Sequence, residues 1–186
     1  MGMLSREEIE AMGFAEVGSQ VQISDKASFY GTSRIRLGSH VRIDDFCVLS
    51  AGVGGVVIGS YVHVGVSSSL IGAGRIALSD YCNISSKVSI YSSNDDYSGE
   101  SMTNPMIPSS FTNVTHADVL IGRHVIIGSG SVVLPGITLE DGVAIGALSL
   151  VNRNCDYFSV YAGSPIRYLK ERSKSLLALE EEFRRT

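Results

Sequence analysis

A mainly β chain wound as a parallel β-helix is the fold this sequence predicts, on three observations. An aliphatic residue recurs every six positions, and the run Ile121, Ile127, Val133, Leu139, Ile145, Val151 has no slip. The same frame extends back in triples: Val17, Ile23, Phe29; Leu37, Ile43, Leu49; Ile58, Val64, Leu70; Leu78, Ile84, Ile90. Every interruption of the frame falls after the third member of a triple. A period of six fits neither a helix nor an alternating strand. It marks a hexapeptide solenoid, in which each repeat supplies one short strand and one corner. Three strands close a triangular coil, so residues 17–165 are expected to form six coils.

The elements follow in chain order. Ser5 and Glu8 form a capping box, and Gly13 ends the short helix that follows. Residues 1–16 should therefore cap the first coil, as the exposed end of a solenoid requires. Within each hexad the aliphatic residue stacks on its counterparts in the neighbouring coils. The small residue that often follows it, as at Gly122, Gly128 and Gly146, is expected to let the backbone bend at the corner. Cys47, Cys82 and Cys155 stand four residues after Ile43, Leu78 and Val151, where small core residues stand elsewhere. They read as core, with no metal site and no nucleophile. Most insertions are two or three residues, but the one between Ile90 and Ile121 is twenty-five. All should emerge on one edge of the prism. An excursion of that length is functional or disordered, so the extruded loop 91–120 is where chemistry is expected. Tyr161 to Arg167 reads as a loop that breaks the repeat. Residues 166–186, with Leu169, Leu176, Leu177, Leu179 and Phe183 between charges, read as a C-terminal amphipathic helix.

Composition narrows the function. The chain has 186 residues and a formal net charge of -4, with no basic footprint for nucleic acid. No apolar run is long enough to span a membrane. The N-terminus lacks the basic-then-apolar pattern of a signal peptide, which makes the cytoplasm the expected location.

Six hexapeptide coils, a long loop before the last two, and the segment Ala162-Gly163-Ser164-Pro165-Ile166-Arg167 resemble the left-handed β-helix acyltransferases. Within them the chain is similar to the sugar and xenobiotic acetyltransferase branch, which includes nucleotide-linked amino-sugar N-acetyltransferases and galactoside O-acetyltransferases. The resemblance covers roughly Val17 to Lys170. It implies the left hand of the helix, acetyl-CoA as co-substrate, and a homotrimer with active sites between subunits. It also implies acetyl-CoA contacts at Ser129, Gly146, Ala147, Asn152, Arg153 and Arg167. A guanidinium at Arg167 suits a nucleotide phosphate, because it is permanently charged and forked. The plainer reading of Ser129 and Ala147 is repeat chemistry, and that of Arg167 a solvated arginine.

The catalytic group departs from the branch. Many members carry a histidine early in the long loop, whereas this loop begins Tyr91-Ser92-Ser93-Asn94-Asp95-Asp96-Tyr97. A sugar hydroxyl needs a base during attack. A free amine keeps a useful neutral fraction near pH 7, and a carboxylate that orients it can suffice. Asn94 and Asp95 look like the pair seen in acetyltransferases of nucleotide-linked amino-deoxysugars, and His116 is the alternative base. Asn83, Asp96 and Tyr97 are the expected acceptor contacts, although Asn-Asp-Asp also favours turns for local reasons. His40, His63 and His124 read as surface residues, and Asp44 as a corner residue. The expected reaction is N-acetylation of a nucleotide-linked amino-deoxysugar, of the dTDP-4-amino-4,6-dideoxyglucose type, in bacterial surface polysaccharide biosynthesis. O-acetylation of a sugar hydroxyl is the alternative. A non-catalytic trimeric scaffold and a metal enzyme on the same fold are more remote, and no metal is expected.

Overall fold

The computed structural model describes residues 2–185. Met1 and Thr186, the outermost residues of the two expected terminal segments, lie outside them. The chain winds as a triangular β-helix whose three faces are parallel sheets. The first face runs from Glu16–Val17 to Thr138–Leu139 in six strands, and the third from Ser28–Tyr30 to Leu150–Val151, also in six. The second starts at Gln22–Ile23 and has eight. Register is one coil per step: Ile43 pairs with Val64, and Ile84 with Ile127.

The hexad aliphatics point inward and make the core. Ile23, Ile43, Val64, Ile84, Ile127 and Val133 are all fully buried. Burial of each such side chain is worth about 1.5–3 kcal/mol. The three cysteines are free and buried, each at the small-residue position of its hexad but at a different corner of the prism. The Cys82 thiol, which points at the Gly122 carbonyl, is pushed up to about 12 by burial. A thiol in that state is inert packing.

The corners differ from the sequence expectation. The residue in the left-handed region is the third after each aliphatic, and usually it is not glycine. Gln20, His40, Phe46, Tyr61, Ser67, Tyr81, Lys87, His124 and Leu148 all have positive φ. The glycine that directly follows an aliphatic has no such backbone. At Gly128 an added Cβ would lie 2.7 Å from the carbonyl carbon of Gly146, on the next coil. The small residue is there for close stacking of coils, and the bend is made two residues later.

Both ends are closed. Helix α1, Arg6–Ala11, has the expected capping box and buries Ile9 over the first coil. At the other end the winding continues past the six coils into a partial seventh turn. Cys155 bridges to Leu139, and Val160 and Tyr161 pair with Ala144 and Ile145. The chain then reverses, and Arg167–Glu171 forms a strand antiparallel to Ser159–Ala162. The expected helix over 166–186 is thus corrected to α2, Leu176–Phe183. Tyr161 and Ala162, expected in a loop, are strand residues. The physical reason is the open edge of the second face, whose backbone groups the reversed strand pairs. Among the described residues no helix is long and apolar enough to cross a membrane.

Candidate active site

The long excursion is ordered by its own base. Ser93–Asn94 pairs antiparallel with Thr115–His116, closing the loop into a hairpin. Ser93 Oγ lies 2.8 Å from His116 Nδ1 and accepts the Ala73 N–H at 2.7 Å. Ser92, fully buried, donates to the Gly74 carbonyl. The insertions of neighbouring coils therefore hold one another at a single edge, as expected.

The loop then folds back over the third face. Tyr91, Ser93, Asn94, Asp95 and Tyr97 line a cavity of about 300 Å³, floored by Val132, Leu134 and Pro135. Three expected site residues, Asn94, Asp95 and Tyr97, are thus brought together on one wall. The Asp95 side chain is exposed to this space. Asp96 is used differently. Its carboxylate accepts the Ser98 N–H at 2.8 Å, and hydrogen bonds from Ser98 hold it below the usual carboxylate range. His116 supports the hairpin through Ser93, and the cavity lining does not include it.

A second group gathers at the corner between the second and third faces. Ser129 and Ala147 stack on successive coils, with the Leu148 N–H donating to the Ser129 carbonyl at 2.9 Å. Gly146 sits against the Ala162 methyl, so any larger residue would push the coils apart. Its carbonyl accepts from Ser131 and Ser149. The corner is open to solvent, and Leu148 is 77% exposed there. Asn152 and Arg153 lie at the next corner, with Arg153 lining a polar cleft with Asn154, Asp156, Tyr161 and Tyr168. Arg167 opens the reversed strand and is exposed. Within one chain the structure does not unite these residues with the Asp95 cavity.

A third polar cluster was not singled out in the sequence. On the second face Arg42, His63 and Asn83 occupy one column, each directly before its aliphatic. Asp44 joins them, accepting from Arg42 Nε at 2.8 Å and lying 2.8 Å from His63 Nε2. His63 Nδ1 lies 3.1 Å from Asn83 Oδ1. Burial pushes the Asp44 carboxyl up, but Arg42 and His63 outweigh it and hold it below the usual range. The hexad frame already aligned these residues; the signal was the shared position before the aliphatic. The frame also aligned His40, Tyr61, Tyr81 and His124, whose rings form a continuous stack at 4.5, 5.3 and 4.8 Å. His124, expected on the surface, is covered: its side chain is 13% exposed beneath Glu180 of α2.

Among the described residues no group of three or more His, Cys, Asp or Glu side chains is placed to hold a metal ion. The donors present suit instead a ligand bound by backbone, hydroxyl and guanidinium groups.

A solenoid of stacked hexapeptides with a loop hung over one face defines a class, and comparison with known proteins agrees. Residues 118–153 match the bacterial transferase hexapeptide family (six repeats). The chain belongs to the hexapeptide-repeat acyltransferases. It is 55% identical over 184 residues to a dTDP-4-amino-4,6-dideoxy-D-glucose acyltransferase of Escherichia coli, covering 99% of this chain and 96% of that one. Its structure is similar to AntD, an N-acyltransferase from Bacillus cereus. A variant of AntD solved with dTDP-4-amino-4,6-dideoxyglucose and coenzyme A superposes with a TM-score of 0.94, at 40% identity over 99% of this chain and 98% of that chain. AntD with dTDP and 3-hydroxybutyryl-CoA gives 0.93, at 41% identity over 98% and 96%.

Proposed function

We propose that this enzyme transfers an acetyl group from acetyl-CoA to the amino group of a dTDP-linked 4-amino-4,6-dideoxyglucose. Whole-chain likeness to an acyltransferase of that sugar carries the reading. The loop cavity supports it, since it presents a carboxylate and an amide where the family's loop histidine is absent. Such an N-acetylated sugar nucleotide is a precursor for surface polysaccharide, and both substrates belong to the cytoplasm.

The chemistry asks little of the protein. Asp95 accepts a hydrogen bond from the sugar amine and orients its lone pair toward the thioester carbonyl. The C–N bond forms, the tetrahedral intermediate collapses, the C–S bond breaks, and the proton shed by nitrogen leaves with the CoA thiolate or water. Asn94 and Tyr97 complete the acceptor wall, and Asn83, on the second face, is assigned to the acceptor from across the subunit boundary. Asp96 braces the loop, and its acceptor role is indirect. Ser129, Gly146 and Ala147 form the pantetheine corner, and Asn152, Arg153 and Arg167 the nucleotide end. His116 is left to hold the hairpin.

Ser129, Gly146 and Ala147 do not line the Asp95 cavity of their own chain, and we place the active site between subunits of a homotrimer. Ile126, Ala144 and Val160 point outward on the second face, and Val132 and Leu150 on the third, all partly exposed in one chain. Facing apolar columns of this kind gain from mutual burial.

The test is thiol release from acetyl-CoA with the dTDP-amino sugar, for the wild type, Asp95→Asn and His116→Ala. The expected outcome is a fall in kcat of about a hundredfold or more in Asp95→Asn, with the KM for acetyl-CoA unchanged. His116→Ala should keep most of the rate. A full-rate Asp95→Asn enzyme would remove Asp95 from the mechanism, and turnover only on plain sugar hydroxyls would overturn the acceptor.

A further inference from the structure

His63 is held at both ring nitrogens, and the partners differ in kind. Asp44 faces Nε2 at 2.8 Å and is 8% exposed. As a carboxylate it can only accept, so Nε2 carries a proton in either charge state of the ring. Arg42 binds the other oxygen of Asp44 and keeps it ionised. At Nδ1 stands the Asn83 amide, 3.1 Å away. An amide has a donor end and an acceptor end, and it can turn either one to the ring. When the ring is an imidazolium, Nδ1–H donates and the Asn83 carbonyl faces it, leaving the NH2 outward. When the ring is neutral, Nδ1 is a bare lone pair. The amide then turns its NH2 inward and its carbonyl outward. Ile126, the neighbour of Asn83 on the next coil, has no polar side-chain atom to compete for the outward end. The charged groups that face the ring are Asp44 and, through it, Arg42, both from the preceding coil; the following coil offers the uncharged Asn83.

We infer that His63 is a positioning residue: its proton decides which end of the Asn83 amide is presented to the acceptor cleft. An incoming amine needs an acceptor, so the neutral ring with the carbonyl outward is the productive state. The inference rests on the acceptor reading given above, which places Asn83 at that cleft.

The experiment follows the Asn83 side-chain amide and the His63 ring by NMR in the full-length enzyme between about pH 5 and 8, the range in which histidine changes charge. Kinetics with the dTDP-amino sugar are measured in parallel. The Asn83 amide signals should shift with the same midpoint as the ring. The transition should vanish in His63→Gln. Between the two ends of the range, the acceptor KM of the wild type should rise about fivefold more on acidification than that of His63→Gln, a hydrogen bond's worth, with the KM for acetyl-CoA unaffected. Asn83 signals indifferent to the ring would overturn the relay. Signals that follow the ring, with an acceptor KM whose pH dependence is the same in both enzymes, would overturn the positioning role. If the wild type never turns over the amino sugar, the acceptor reading has failed, and the NMR arm still judges the relay by itself.

Discussion

Two corners of the same prism follow one rule and end in opposite states. Both place a left-handed residue three positions after the hexad aliphatic. Between the first and second faces those residues include His40, Tyr61, Tyr81 and His124, and the C-terminal helix docks on the last three of them. Phe183 meets Tyr61 edge-on at 5.1 Å, Arg184 and Arg123 lie over the Tyr81 ring, and Glu180 holds Arg123 and His124. Between the second and third faces they are Phe46, Ser67, Lys87, Gly130 and Leu148, and Phe46 and Leu148 stay exposed. A left-handed corner costs about 1–2 kcal/mol for a residue with a side chain. At the first corner ring stacking and helix docking offset that cost. At the second, no helix covers Phe46 or Leu148, and the corner is left for something outside the chain. One corner holds the fold, and the other is available for binding.

The largest expected effect comes from filling the open corner. Gly128→Ala drives a Cβ into the backbone of Gly146 and Ala147. Overpacking of this kind costs about 1–3 kcal/mol. Because the shift displaces Ser129 and Ala147, both the melting temperature and the affinity for CoA should fall, by calorimetry on the free and CoA-bound enzyme. A variant that melts normally and binds CoA normally would show that the corner has room.

Breaking the closed corner should do the reverse: stability falls while catalysis stands. Glu180→Ala leaves His124 and Arg123 facing an empty place beneath α2. Hydrogen bonds to charged groups are worth about 1.5–3 kcal/mol, so the melting temperature should drop by several degrees. The kcat on the amino sugar should stay near that of the wild type. A large loss of rate with the stability intact would assign this helix to the active site.

The same carboxylate gives the comparison a pH dependence. Burial pushes Glu180 up, but the His124 hydrogen bond and the Arg123 and Arg184 charges outweigh it and depress its pKa. A depressed carboxylate contributes stability that is fully present above its unfolded value, about 4.3, and is lost as pH falls through the folded one. The difference in melting temperature between wild type and Glu180→Gln should therefore be constant near neutrality and shrink below about pH 4.3. A difference that grew on acidification would contradict the sign.

Much of this was legible in the sequence, and the reason is periodicity. The frame from Val17 to Val151 placed every strand of the six coils, because a buried aliphatic can stand at only one position of the hexad. It also placed the edge where Ser93 and His116 now meet. The frame carries no information on what happens once the repeat stops. Arg167–Glu171 has charges at helical spacing, but the unpaired edge of the second face outweighed that local pattern. The fate of side chains at one hexad position was likewise hidden. His124 reads as a surface residue in its own hexad and is partly covered only when residues more than fifty positions later dock on it. Asp44 and His63 are twenty positions apart and look unrelated until the coils are stacked.

The smallest expected effect tests how far the open corner extends. Arg167 leaves the solenoid at the start of the reversed strand and carries its charge into solvent. If the nucleotide end of CoA lies there, Arg167→Ala removes a charge-assisted contact to phosphate in an exposed setting, worth about 1 kcal/mol or less after screening. The KM for acetyl-CoA should then rise severalfold at low ionic strength, and less so as salt is added. The acceptor KM should barely move, since Asp95 and Asn94 lie in the loop cavity on the third face. Arg167→Lys should recover part of the loss, because a point charge replaces the fork. A rise in the acceptor KM alone would place the sugar nucleotide at Arg167 instead, and the open corner would then serve the acceptor.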